Sequence, residues 1–549
     1  MSDIQLATLD PRDPAHLADP YPAWQQARDG GRPVYLRALR AWAVTSHDQV
    51  LAVVRDPATY SSAPSGSSER DLATLRSAVP HACPEDFHAL ANSDPPTHTR
   101  IRRASQKMLT PKSVSVYEPY VRSVCAGLIE GFAADGRADI VQRLAVPLPL
   151  TVICHVLGID PGSQQRLKQW SDDTVRLHMP GLSADERVGL ARSSAELHDF
   201  LVRLIAARRR DPRPGDLVST LVQPADGSGP TLTGDEVIGV VTQLLIGGHE
   251  TLTALISSMA LLLARDHGLA GRLRTEPALG PAMVEETLRY YSPVKGMTRT
   301  TTREVELGGQ PIPAGARLLV LFGAANRDPV RFSCPGSFDL DRTNTGEHVA
   351  FGRGVHACIG APLARLEARV ALEEIASRLP GLRLPSGGRL TYLPSFMVYS
   401  IGALELEWDR SGPINKGLRA TPTQPVVTSR SGPPPGPGRQ ACSGVRPGST
   451  RSKPSKRRWI WSLPRSHRPL ALLYACNPLA RTSSGISSPE IWPITRKLPE
   501  QNASLKAATI PAGSSSSDTK CRTWRRITAT GWVKSRCLRM AGRPSSSCG

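Results

Sequence analysis

From Thr233 to Arg265 the chain runs about nine helical turns without a proline, and most of its residues are apolar or small. Thr233-Gly-Asp-Glu236 opens the segment as a capping box, in which threonine and glutamate satisfy two orphan N–H donors reciprocally. The spacing predicts one helix ending near Arg265. Some 32 residues at about 1.5 Å each give roughly 48 Å, enough to cross a whole globule. The apolar residues lie nearly all round, so the helix must be buried through the centre of a large domain. No run of about 18 consecutive apolar residues occurs, which argues against a transmembrane segment.

The rest of residues 1–409 reads as many helices with a small, separate sheet. A strand-like run over 40–45 precedes a helical pattern near 48–55, and helical patterns recur at 98–109, 113–133 and 185–210. Short strand signals at 303–323 are punctuated by Gly308-Gly309, and strand signals return at 389–408. Residues 61–93 are rich in Ser, Ala and Pro and are expected to form a long loop.

Charge divides the chain in two. Residues 411–549 hold 24 Lys and Arg against 3 Asp and Glu, whereas residues 1–410 hold 44 against 45. The near-neutral body excludes nucleic-acid binding on charge grounds. The basic stretch, with 22 Ser and 17 Pro, has a disorder composition. It is also the composition that out-of-frame translation of a GC-rich gene produces. The ten cysteines form no C-x-x-C pair, so zinc-ribbon and thioredoxin-like readings lack support. The first residues carry no basic patch followed by an apolar run, so no signal peptide is expected, and a soluble cytoplasmic protein follows.

One cysteine points to chemistry. Phe351, Gly352 and Gly354 precede Cys358, Gly360 follows it, and an amphipathic helix continues through Leu363, Leu366, Val370 and Leu372. A cysteine at a helix mouth meets unpaired N–H groups and the positive end of the dipole, so its thiolate is favoured. Glycines let the backbone approach a flat ligand and aim N–H groups at the sulfur. The run resembles the haem-binding signature of the bacterial cytochrome P450 family, F-G-x-G-x-x-x-C-x-G, with each fixed position present. The resemblance implies a single triangular, mostly α domain with a small segregated β-sheet over about 1–409. It makes Cys358 the axial ligand of haem b, and cytochromes P450 in general use such a thiolate to favour O–O cleavage.

The same resemblance assigns further residues. Two consecutive glycines, Gly247 and Gly248, cost a buried helix about 1 kcal/mol each relative to alanine, and the family places glycine here to let the helix pass over the haem and open a groove for O₂. Glu250 and Thr251 match its acid–alcohol pair, in which a hydroxyl relays protons and a carboxylate recharges it. His98, Arg102, Arg299 and His356 match the groups that hold the haem propionates, since buried carboxylates need such partners. Glu286 and Arg289, with Arg342, match a buried E-x-x-R network of core architecture. The pocket is expected from Gln243, Ile246, Gly247, Lys295, Met297, Met397 and Val398, with residues 61–93 as a lid.

These features together predict a haem-thiolate monooxygenase. It would use O₂, with electrons from NAD(P)H delivered by an external ferredoxin and ferredoxin reductase. Two other classes are a non-oxygenase haem protein that isomerises, dehydrates or binds a ligand, and a binding protein acting through its basic segment. The body is also similar to the catalytic part of self-sufficient family members. Residues 410–549, however, carry neither a C-x-x-x-x-C-x-x-C cluster nor a flavin signature, so they read as disordered or as an out-of-frame remnant of a reductase region.

Overall fold

Thr233 opens the long helix as its side chain dictates. Its hydroxyl accepts from the Glu236 N–H at 3.2 Å, and the Glu236 carboxylate accepts from the Thr233 N–H at 2.9 Å. The helix then runs unbroken over Gly234–Arg265. The computed structural model of the chain describes residues 18–37, 39–63, 90–177, 182–223, 232–395 and 397–410. Among these, the central helix alone is long and apolar enough to cross a membrane, by length and composition, yet it lies mostly buried inside the protein. It packs against the helices Pro147–Leu157, Ala184–Arg210, Leu279–Tyr291 and Ala361–Arg378. Leu245, Leu252, Ile256 and Met259 from it join Leu148, Val152, Val370 and Leu372 in one continuous core.

Among the described residues, ten short strands make three separate sheets. The largest has the order β1 (Val34–Leu36), β2 (Ala41–Val44), β8 (Arg317–Val320), β5 (Met297–Thr301) and β3 (Tyr60–Ser61). Its one parallel pairing, β2 with β8, sets Ala43 opposite Leu319. A second sheet orders β4 (Arg137–Asp139), β10 (Ile401–Glu407) and β9 (Leu390–Tyr392). The third is the hairpin β6 (Val305–Leu307) and β7 (Gln310–Ile312), turned by Gly308 and Gly309 at φ +56° and +73°.

Sequence periodicity anticipated the helices His47–Arg55, Thr97–Ser105 and Ala184–Arg210 but passed over Pro147–Leu157 and Gln164–Leu177. Pro147–Leu157 is apolar on most faces and gives no amphipathic signal, while Gln164–Leu177 is polar throughout most of its length. A second capping box, Ser183 with Glu186, starts Ala184–Arg210 and follows the same grammar as Thr233. The segment 61–93 lies mostly outside the described residues, as do residues 411–549.

The E-x-x-R network is built as expected. Arg289, fully buried, donates to both oxygens of Glu286 at 2.7 and 2.6 Å, and to the carbonyls of Asn326, Pro335 and Ser337. Arg342 reaches the same carboxylate at 3.3 Å and the Ser333 carbonyl at 2.8 Å. Guanidinium groups thus staple the Leu279–Tyr291 helix to the irregular stretch 326–342. Removing one partner of such a buried pair leaves a stranded charge and costs about 3–5 kcal/mol.

Candidate functional site

The stretch leading to Cys358 is a tight irregular loop held from three sides. The Cys358 N–H donates to the Phe351 carbonyl at 2.8 Å. Gly352 and Gly354 take φ +66° and +71°, and a Cβ at Gly354 would collide with the Val54 carbonyl. Glycine there is a requirement of close approach to the end of helix His47–Arg55. Asn326 accepts from the Val349 N–H at 2.7 Å and donates to the Ser292 hydroxyl at 2.8 Å, tying the loop to the stapled core.

Cys358 itself is exposed at the mouth of helix Ala361–Arg378. The N–H groups of Gly360 and Ala361 hydrogen-bond toward its sulfur, and Arg102 and Arg365 add positive charge; all four favour the thiolate. The protein packed around the loop opposes them and prevails, so the free thiol lies above its ordinary pKa. The helix-mouth N–H groups act in the expected direction. A metal ion bound to sulfur reverses that balance, because a coordinating thiol is deprotonated outright.

Sequence reasoning missed the support behind this loop. Glu285 accepts from Arg365 at 2.7 and 2.9 Å and meets His348 Nε2 at 3.1 Å; the two partners hold its carboxyl at about 2 despite burial. Arg365 also lies 4.6 Å over the Phe351 ring. The available signal was position: Arg365 stands about one turn into the helix after the cysteine, and Glu285 adjoins Glu286.

On the central helix, Gln243, Ile246, Glu250 and Thr251 are only partly buried and Gly247 is exposed, while Leu244, Leu245, His249 and Leu252 are buried. This spacing is one stripe of an α-helix. Gly247 has open space where a Cβ would be. The Thr251 hydroxyl donates to the Gly247 carbonyl at 2.9 Å. Gly248 is different: a Cβ there would fall 2.8 Å from Ile153 Cγ1, on the neighbouring helix. Close helix packing therefore favours glycine at 248, a packing role beside the expected cofactor one. Glu250 is pushed up to about 7, first by burial and then by the negative charge of Asp172.

Four basic residues converge beside the cysteine loop. His98 and Arg102 share one face of helix Thr97–Ser105, Arg299 sits on β5, and His356 precedes Cys358 by two. The rings of His98 and His356 are 4.2 Å apart. Both nitrogens of His98 and Nε2 of His356 are buried with no partner among the described residues. Burial and the neighbouring cations Arg102 and Arg299 push both imidazoles down, His356 to about 4. Orphaned buried donors beside two guanidinium groups need an anion from outside the chain. Two carboxylates fit that need.

Of the remaining pocket candidates, Met297, Met397 and Val398 are half-buried. Gln243 is committed to residues 91 and 92: it accepts from the Ala91 N–H at 3.0 Å and donates to Asn92 Oδ1 at 2.9 Å. Lys295 is buried, and its ammonium donates to the Ser395 carbonyl at 2.9 Å. It serves as a strut between the residues preceding β5 and the segment before β10.

The comparisons agree with this geometry. The sequence model described as "Cytochrome P450" matches residues 182–379. The chain is 37% identical over 401 residues to cytochrome P450 monooxygenase PikC of Streptomyces venezuelae, covering 72% of this chain and 92% of that protein. It is 36% identical to 6-deoxyerythronolide B hydroxylase of Saccharopolyspora erythraea, over 64% of this chain and 86% of that one. The fold superposes on CYP109E1 from Bacillus megaterium, solved in complex with testosterone. The TM-score is 0.64 at 31% identity, with 72% of this chain and 99% of that chain covered.

Proposed function

The chain belongs to the cytochrome P450 family and is a haem-dependent oxidoreductase of the monooxygenase type, and from that premise we propose how its own residues divide the work. The reading is hydroxylation of a small organic substrate with O₂, with reducing equivalents from NAD(P)H passed through an external ferredoxin and its reductase. Residues 1–409 carry this activity, and residues 410–549 add nothing to it. The name of the 6-deoxyerythronolide B hydroxylase supports hydroxylation as the reaction type.

The observation that carries the assignment is the pairing of Cys358 with the orphaned basic cluster. Haem, when bound, supplies oxygen activation at an iron whose thiolate ligand donates electron density, as in cytochromes P450 generally. Cys358 holds the iron, and the Gly360 and Ala361 N–H groups temper how strongly its sulfur donates. His98, Arg102, Arg299 and His356 hold the propionates. The exposed position of Gly247 leaves room above the flat group. Thr251 Oγ1, now donating to the Gly247 carbonyl, is the atom that passes a proton into the cleft. Glu250 re-protonates it, and its carboxyl pKa near neutrality suits that task. Met297, Met397 and Val398 supply apolar lining.

The test is spectroscopic. The ferrous–CO complex should show the red-shifted Soret band of a thiolate ligand, and Cys358→His should abolish that band. An unchanged spectrum in the variant rules Cys358 out as the ligand. Product formed without consumption of O₂ would instead favour an isomerase or dehydratase.

A further inference from the structure

His249 faces away from the accessible stripe and is fully buried, yet only one of its nitrogens is used. Nδ1 lies 2.8 Å from the Leu245 carbonyl. A carbonyl can only accept, so Nδ1 carries the proton and Nε2 is left as a bare lone pair. No protein group meets Nε2. Donor atoms of His249, Glu250 and Asp172 lie within 4.8 Å of one another, where the central helix meets the helix Gln164–Leu177. A backbone carbonyl that fixes one imidazole nitrogen and leaves the other unbonded, on a histidine grouped with two carboxylates, is the usual arrangement behind a metal-binding histidine.

We infer that Asp172, His249 and Glu250 form a site for a divalent cation of the zinc class, which shares Glu250 with the proposed proton relay. One imidazole and two carboxylates with an open fourth position suit Zn²⁺. Bonds of about 2.0–2.2 Å require this triad to close by roughly 1 Å. Lys168 pairs with Asp172 and is the competitor the metal must displace. Asp172 is exposed and provides the entry side. Occupancy would take the Glu250 carboxylate out of the proton relay, so the site acts as a brake on coupled turnover. That consequence, unlike the site itself, rests on the relay role proposed for Glu250.

The experiment is equilibrium dialysis of the full-length ferric holoenzyme against Zn²⁺. Cysteines of residues 411–549 bind zinc equally in every variant, so the difference between variants is read. Wild type should bind one Zn²⁺ more than His249→Gln. Asp172→Asn, a change at an exposed residue, should weaken that one ion at least tenfold. Lys168→Gln should strengthen it severalfold, a change of sign that loss of structure does not produce. Equal binding in wild type, His249→Gln and Asp172→Asn overturns the site. A second readout separates the two claims. Zn²⁺ should raise the peroxide formed per NAD(P)H in wild type and not in Asp172→Asn. If the ion binds and peroxide is unmoved, the brake and the relay role of Glu250 fall while the metal site stands.

Discussion

The adjacent glycines of the central helix offer a test in which two neighbouring substitutions should have opposite signs. A Cβ at Gly248 would sit 2.8 Å from Cγ1, 3.0 Å from Cδ1 and 3.3 Å from Cβ of Ile153, all inside the roughly 3.5–4.0 Å optimum for carbon pairs. Ile153 is itself buried and cannot swing clear freely. A Cβ at Gly247 meets nothing within 4 Å. Alanine is favoured over glycine in a helix by about 1 kcal/mol at both positions. Gly247→Ala should therefore stabilise the protein by up to about 1 kcal/mol. At Gly248 an overpacking cost of about 1–3 kcal/mol opposes the same gain. Gly248→Ala should thus be neutral or destabilising by up to about 2 kcal/mol, and the two variants should differ by about 1–3 kcal/mol. Thermal or urea unfolding of the ferric holoenzyme, followed by far-UV circular dichroism, measures the order. Ile153→Ala removes both close carbons beyond Cβ, so the double variant Gly248→Ala/Ile153→Ala should be less destabilised than the two single losses summed. Equal stabilities for the two glycine variants, or strict additivity in the double variant, would refute the packing argument.

Thr251→Ala should retain haem and consume O₂ but divert reducing equivalents to peroxide, read as product formed per NAD(P)H; full coupling in the variant sinks the relay. Glu285 has a folded pKa held down to about 2, so its contribution to stability is present above about pH 4.5 and is lost as pH falls toward 2. Glu285→Gln should be less stable than wild type at neutral pH, with the gap narrowing across that acid window; a constant gap would contradict the linkage. A chain ending at residue 410 should bind haem and turn over with surrogate ferredoxin and reductase at least as well as the full chain. If truncation abolished electron uptake from NAD(P)H without added partners, residues 411–549 would be a working reductase.

Much of the site was legible because its residue types are dictated locally. The Gly352–Gly360 run, the Thr233–Glu236 capping box and the Glu286–Arg289 spacing each encode a geometry within a few residues, and backbone stereochemistry delivers it whatever surrounds it. The basic cluster was reached through resemblance, since nothing in the sequence brings His98, Arg299 and His356 together. The fold does so by setting Thr97–Ser105, β5 and the cysteine loop side by side.

What only the tertiary structure decided is direction. The sequence placed Gly247 and Gly248 alike, but their side-chain directions differ by about 100° on a helix, so one opens to the cleft and the other presses on Ile153. Lys295 and Gln243 were placed near the pocket, yet each is held by a partner about 100 to 150 residues away in the chain. The cysteine's environment followed the same rule. The helix mouth was readable from sequence, but the positive charge of Arg102 beside the sulfur comes from a helix about 250 residues earlier in the chain. Sequence on its own determined which groups are available and which backbone turns are possible. Packing decided which way each group points and whether water reaches it, because both depend on neighbours that are distant along the chain.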